Sequence, residues 1–306
     1  MADAALRFLH YAVLLGLFGA TAYRVIGFRG TAWAGLGQRP AGWIVAAVAA
    51  PLISTALQLS SIAAMMGTPI GDLDRAIVEA MVLGTSLGWA FLIRLALLLA
   101  GLIALLASRR GIAALCYAGA LLTLGWSGHA AATEGALGLA HRMNNGGHLI
   151  AAGLWMGAIG WFWTLTRRAR RPGAPFAPAA LLSVMHGFAP LGVVLVGAVA
   201  LTGIVNAQLI FGLANAPQVL PTAYGILLAL KVGLVLAMMS FGAHNAMLGR
   251  RQATQSPTQI RTEADPTDLE VVLAALRKSL ASEFALGIAV IGLVAVLGML
   301  SPMTMG

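Results

Sequence analysis

Apolar residues run along this chain in long blocks, with polar residues confined to the stretches between them. Blocks of about 20 apolar residues are the length that spans a bilayer as helix. Eight such blocks are present, near Ala4–Phe28, Ala41–Met66, Met81–Ala107, Ile112–Ala131, Gly147–Thr166, Leu182–Phe211, Tyr224–Leu248 and Leu280–Leu300. None alternates with the period of two that a lipid-facing barrel strand requires. An open sheet is excluded, because unpaired backbone groups are not tolerated against lipid. The pattern predicts an all-α polytopic membrane protein with eight transmembrane helices, forming a single transmembrane domain over residues 1–306. The longest connection, Gly249–Ser279, holds an amphipathic stretch. Thr267-Asp268-Leu269-Glu270 reads as a capping box, and Leu269, Val272, Leu273, Leu276 and Leu280 share one helical face. The expectation there is an interfacial helix that feeds the eighth span.

Composition sharpens this picture. Of 306 residues 59% are hydrophobic and 9% charged, with a mean hydropathy of +0.88, which excludes a water-soluble enzyme and a disordered chain alike. The single cysteine, Cys116, excludes an intrachain disulfide and any CxxC motif. The 37 glycines fit closely packed membrane helices. The net charge of +9 acquires meaning from its distribution. Alternate connections hold 14 of the 19 basic residues: Arg24, Arg29 and Arg39; Arg109 and Arg110; Arg167, Arg168, Arg170 and Arg171; Arg250, Arg251, Arg261, Arg277 and Lys278. The opposite side holds only Arg75 and Arg142. The positive-inside rule then places both termini outside, in the periplasm of a bacterium, and removes the case for nucleic-acid binding. The same asymmetry makes the first block an anchor rather than a cleaved leader.

The motifs of enzymes and of ATP-driven transport are absent: there is no phosphate-binding Gly-Lys-Ser/Thr loop, no HExxH and no Gly-x-Ser-x-Gly. A non-enzymatic function is expected. What remains is histidine, methionine and intramembrane charge. On the predicted topology His10, His129, His141 and His148 fall near the outer surface, His141 in a loop, and His186 and His244 near the inner one. Met1, Met65, Met66, Met81, Met143, Met299, Met303 and Met305, 8 of 13 methionines, share the outer side. Neutral imidazole and thioether ligands with almost no thiol suit copper better than zinc, calcium or magnesium. Arg94, Lys231 and Glu283 lie inside spans, where ionisable residues face the bundle interior; Glu283 is expected to pair beside Lys278.

These residues carry a resemblance. Arg7-Phe8-Leu9-His10 with Leu17-Phe18-Gly19, Gly88-Trp89 leading to Arg94, Gly128-His129-Ala130, and Gly147-His148-Leu149 through Trp155-Met156-Gly157 are similar to the CopD/PcoD family of inner-membrane copper resistance proteins. So are Tyr224-Gly225 through Leu230-Lys231, Asn245, and Leu276-Arg277-Lys278-Ser279-Leu280 through Glu283 to Pro302. The resemblance implies eight membrane helices, copper movement across the bacterial inner membrane, and a periplasmic CopC-like carrier as partner. It carries His10, His129 and His148 over as copper ligands, and Arg94, Trp155, Lys231, Asn245 and Glu283 as motif positions of unassigned role. Met65, Met66 and His141 are expected to assist those ligands from their place near the outer side. Two places depart from the pattern: His186 stands where a basic residue is expected before Phe188, and Ala246 stands where Arg is expected after Asn245.

Three functions compete. The first is copper transport, with import favoured. The second is electron transfer through b-type haem held by histidine pairs, His186 with His244 at the inner depth and His10 with His148 at the outer. The third is a non-transporting copper sensor or assembly partner.

Overall fold

The computed structural model describes residues 2–28, 41–170, 177–253 and 266–301, and among these every regular element is helical. In chain order they are α1 (Ala2–Ile26), α2 (Ala41–Met66), α3 (Arg75–Gly84), α4 (Ser86–Leu106), α5 (Arg110–Leu122), α6 (Gly135–Arg168), α7 (Pro178–Phe211), the single turn α8 (Ala216–Val219), α9 (Ala223–Ala253) and α10 (Pro266–Leu297). Seven are long and apolar enough to cross a membrane: α1, α2, α4, α6, α7, α9 and α10. The fourth apolar block gives a shorter apolar helix, Arg110–Trp126, made of α5 and a 3-10 turn. Arg29, Arg39, Arg171, Arg261, Met1, Met303, Met305 and Pro302 lie outside the described residues, as do the side chains of Arg250 and Arg251 and of Thr267, the first residue of the capping box.

Three elements differ from the reading of the sequence, each for a local reason. The third block breaks at Thr85, whose backbone is extended and whose hydroxyl accepts from the Gly88 amide at 3.0 Å, so α3 precedes the true span. The fifth span begins at Gly135, a full 12 residues before its apolar run. Arg142, Asn144 and Asn145 interrupt the hydropathy there without ending the helix. Arg142 donates to the Thr133 carbonyl and stacks over Trp126, while Asn144 donates to the Thr202 carbonyl and the Asn206 side chain. The amphipathic stretch is not a separate interfacial helix, because α10 runs unbroken from Pro266 to Leu297. Its Leu273, Leu276 and Leu280 are buried in the main core.

α1 and α6 form the spine. Gly19 and Gly157 bring their backbones together: a Cβ on Gly157 would lie 2.2 Å from the Gly19 carbonyl oxygen, and one on Gly19 would lie 2.2 Å from that of Gly153. Trp161 then donates to the Ala20 carbonyl at 2.9 Å. Small residues are what allow membrane helices this proximity. α5 and α10 flank this pair, whereas α7 and α9 stand at the periphery. Exposed Val193, Leu201 and Ile204 on α7, and Ile226, Leu230 and Leu236 on α9, offer the apolar surface that lipid covers.

Candidate functional site: two stacked cavities

Two cavities run end to end between α6, α7, α9 and α10. The first, about 260 Å³, contains His129, His141, His148, Lys231, Met156 and Met238 in its wall. The second, about 800 Å³, is bounded by His186, Met239, Asn245 and Glu283 among apolar residues. On all four helices the boundary falls within one turn: Val199 and Val196 on α7, Met238 and Met239 on α9, Gly287 and Glu283 on α10, Met156 and Ile159 on α6. Among the described residues Trp155 alone lines both. Trp155 thus stands at the boundary between them.

α6 builds one side of the first cavity. His141, Asn145, His148, Ala152, Trp155 and Met156 line it at helical spacing, over a rise of ~22 Å at 1.5 Å per residue. The turn before α6 is fastened to this face. Gly128 and Gly135 take positive φ (67° and 65°), and Thr133 shares a 2.9 Å hydrogen bond with His141 Nδ1. Methionine sulfur closes the far end: a Cβ on Gly287 would fall 2.3 Å from Met156 Sδ and 3.4 Å from Met238 Cε, so glycine there makes the room that both side chains fill.

Hydrogen bonds fix which ring nitrogens are free. The Thr202 hydroxyl gives its one proton to the Ala198 carbonyl, at 2.5 Å. His148 Nδ1, 2.9 Å from the same oxygen, is therefore the donor, and the neutral ring keeps a lone pair on Nε2. His129 Nε2 lies 3.2 Å from the Leu297 carbonyl, which only accepts, so its lone pair is on Nδ1. Holding one imidazole N–H in this way is how proteins orient metal-ligating histidines. Among the described residues no three His, Cys, Asp or Glu side chains converge into a ready ligand set. The donors are instead spread along the cavity.

Several predicted residues lie differently from the expectation. His141 is not in a loop but buried in α6, at 1% exposure. His148 does not begin its helix: it is the fourteenth residue of α6. His10 is equally buried, yet it is not part of either cavity wall, and both its ring nitrogens lack hydrogen-bond partners. Met65 and Met66 are half-exposed at the end of α2, away from both cavities. Arg94, 4% exposed, donates from Nε to Thr123 Oγ1 at 2.8 Å and ties α4 to the turn after α5. Glu283 pairs not beside Lys278 but with Asn245, whose Nδ2 donates to its Oε1. His186 borders the second cavity and His244, exposed, does not, so the structure does not bring that pair together there.

The sequence reading passed over Met238, Asn145, Thr202 and Asn206, and took Met156 only as part of the Trp155-Met156-Gly157 motif. A signal was present for some of them. Asn144-Asn145 and the Thr202/Asn206 pair are polar groups inside apolar helices, and helices on either side of such positions hydrogen-bond there. Nothing in the chain marks Met238, which looks like ordinary apolar filling.

Comparison with known proteins adds to this geometry. Residues 1–139 match the family described as "Copper resistance protein D-like, N-terminal domain". Residues 182–297 match "Copper resistance protein D". The chain is 30% identical over 308 residues to Copper resistance protein D of Pseudomonas syringae pv. tomato, covering 97% of this chain and 96% of the relative. It is 30% identical over 257 residues to Inner membrane protein YebZ of Escherichia coli (strain K12), covering 79% and 82%. No solved structure matches.

Proposed function

This chain belongs to the copper resistance protein D family, and we propose that it moves copper across the bacterial inner membrane, receiving it on the periplasmic side and releasing it inward. The observation that carries the reading is the first cavity: imidazoles at one end, thioethers at the other, and among the described residues no three His, Cys, Asp or Glu gathered into a closed set. A resident metal calls for a closed site, whereas a transported ion must bind well enough to come in and weakly enough, at several positions, to leave. His129 and His141 receive copper at the end where α6 begins. His148 Nε2 holds it next, and Met156 and Met238 take it at the Trp155 layer. Exchange among neutral ligands is favoured because no thiolate bond has to break. Inward release follows the copper gradient and chelation in the cytoplasm.

The alternating basic connections support eight spans with both termini outside, the shorter helix Arg110–Trp126 counting as the fourth. That orientation puts His129 and His141 at the periplasmic face. The donor is a periplasmic carrier of the CopC kind, as the family resemblance implies. On this orientation a C-terminal alkaline phosphatase fusion is expected to be active.

The test is copper affinity and copper uptake of the purified protein in liposomes, with Cu(I) and Cu(II), for wild type and for His129→Ala with His148→Ala. Weakened binding and lost uptake are expected. Unchanged values for both would overturn the site.

A further inference from the structure

Glu283 is the acidic side chain inside the second cavity, and the copper reading gives it no role. It is 2% exposed, in mid-helix on α10, and its Oε1 accepts from Asn245 Nδ2 across the cavity wall. Its Oε2 stands beside Gly242, where a Cβ would be 3.9 Å away. Among the described residues it makes no ion pair. Among the described residues no lysine or arginine lines this cavity, and His186 is the other ionisable side chain in its wall. α6 presents Trp155, Ile159 and Phe162 to the cavity, α7 presents His186, and α9 presents Asn245 and Met239. Lys231 lies beyond the Trp155 wall. Arg277 and Lys278 precede Glu283 on α10 without lining the cavity, and Arg24 of α1 is directed to Trp161.

A second observation comes from its partner. Asn245 Oδ1 is buried and has no hydrogen-bond donor. Buried acceptors are almost always satisfied, and an orphan calls for an explanation. With Glu283 ionised the pair holds an uncompensated charge and an orphaned acceptor together. One proton on the carboxylate removes both faults: it cancels the charge, which is costly in this setting, and it gives the pair an O–H donor for the amide oxygen to accept. An acid and an amide can pair in both directions, the acid accepting from the amide N–H and donating to the amide oxygen.

We propose that Glu283 and Asn245 form a proton-binding site in the inner cavity, across Trp155 from the copper-binding cavity. The proton comes from solvent and resides on the carboxylate oxygen not held by Asn245. Such a group, which gains and loses one positive charge beside the Trp155 wall, goes beyond the copper reading and does not depend on it.

The full-length protein in lipid, without copper, is treated with dicyclohexylcarbodiimide, which modifies protonated carboxyls in apolar surroundings, and the adduct is mapped by mass spectrometry. An adduct on Glu283 that declines as pH rises is expected, absent in E283Q. In infrared spectra a protonated-carboxyl carbonyl band is expected in wild type and lost in E283Q. N245L, which keeps the carboxyl, should move the pH at which that band disappears, and it carries the test should E283Q fail to fold. Absence of the band from wild type would overturn the proposal, as would an N245L band indistinguishable from wild type. Loss of the adduct on adding sodium at constant pH would assign the site to a metal cation and overturn the proton. None of these readouts uses copper, so their failure leaves the transport reading standing.

Discussion

A single hydroxyl decides which nitrogen of His148 keeps a free lone pair. Thr202 accepts from Nδ1 because its own proton is committed to the Ala198 carbonyl. Thr202→Val removes that acceptor and frees the ring to turn and to change tautomer. Copper affinity is expected to fall about tenfold or more, the usual cost of losing a group that orients a metal-binding histidine, measured by competition with a Cu(I) chelator. Lys231 acts in the opposite sense. It lines the same cavity and lies within electrostatic range of His148, and a cation there opposes a second one. Lys231→Met is expected to tighten copper binding by about tenfold, equivalent to ~1.4 kcal/mol; looser binding would mean that the amine itself donates to the metal. At this scale the sequence showed the histidines and the lysine. It did not show their partners, because a hydrogen bond between residues 54 positions apart depends on how α6 meets α7.

Among the helices, two kinds of glycine contact separate packing from function. Gly157 faces backbone: an added Cβ meets the Gly19 carbonyl, and neither chain can yield without moving a helix. Gly157→Ala is expected to cost about 1–3 kcal/mol of stability, read as a lower thermal midpoint in detergent. Gly287 faces the flexible ends of Met156 and Met238. Gly287→Ala is expected to displace those thioethers, leaving stability nearly intact while weakening Cu(I) binding more than Cu(II), since sulfur favours the softer ion. Helix ends were the least legible part of the chain. Hydropathy marked α2 to the residue, where both ends are purely apolar-to-polar transitions. It missed the first turns of α6, where polar side chains stay helical because they find partners across the bundle.

For the molecule as a whole, the wall at Trp155 sets how far one cavity feels the other. Glu283 is one turn from Gly287 but opens to the opposite side of that wall. E283Q is therefore expected to leave copper affinity at the first cavity within about twofold, as for sites without shared partners, while altering inward release, measured as copper uptake into liposomes under a pH gradient. A large loss of affinity would show that the two cavities are one.

The sequence by itself determined the class of fold, the positions of the apolar blocks and the asymmetry of basic connections, because the bilayer imposes span length and excludes other backbone structures. With its motifs it also pointed to copper. Only the tertiary structure decided that His129, His141 and His148 share one cavity while His10, Met65 and Met66 do not. It alone placed Met156 and Met238 in the wall of the first cavity and the Glu283–Asn245 pair in that of the second. Depth in a membrane follows from position along the chain, but the direction in which a side chain faces follows from which helices pack against it, and that is set by contacts between distant residues such as Gly19 with Gly157.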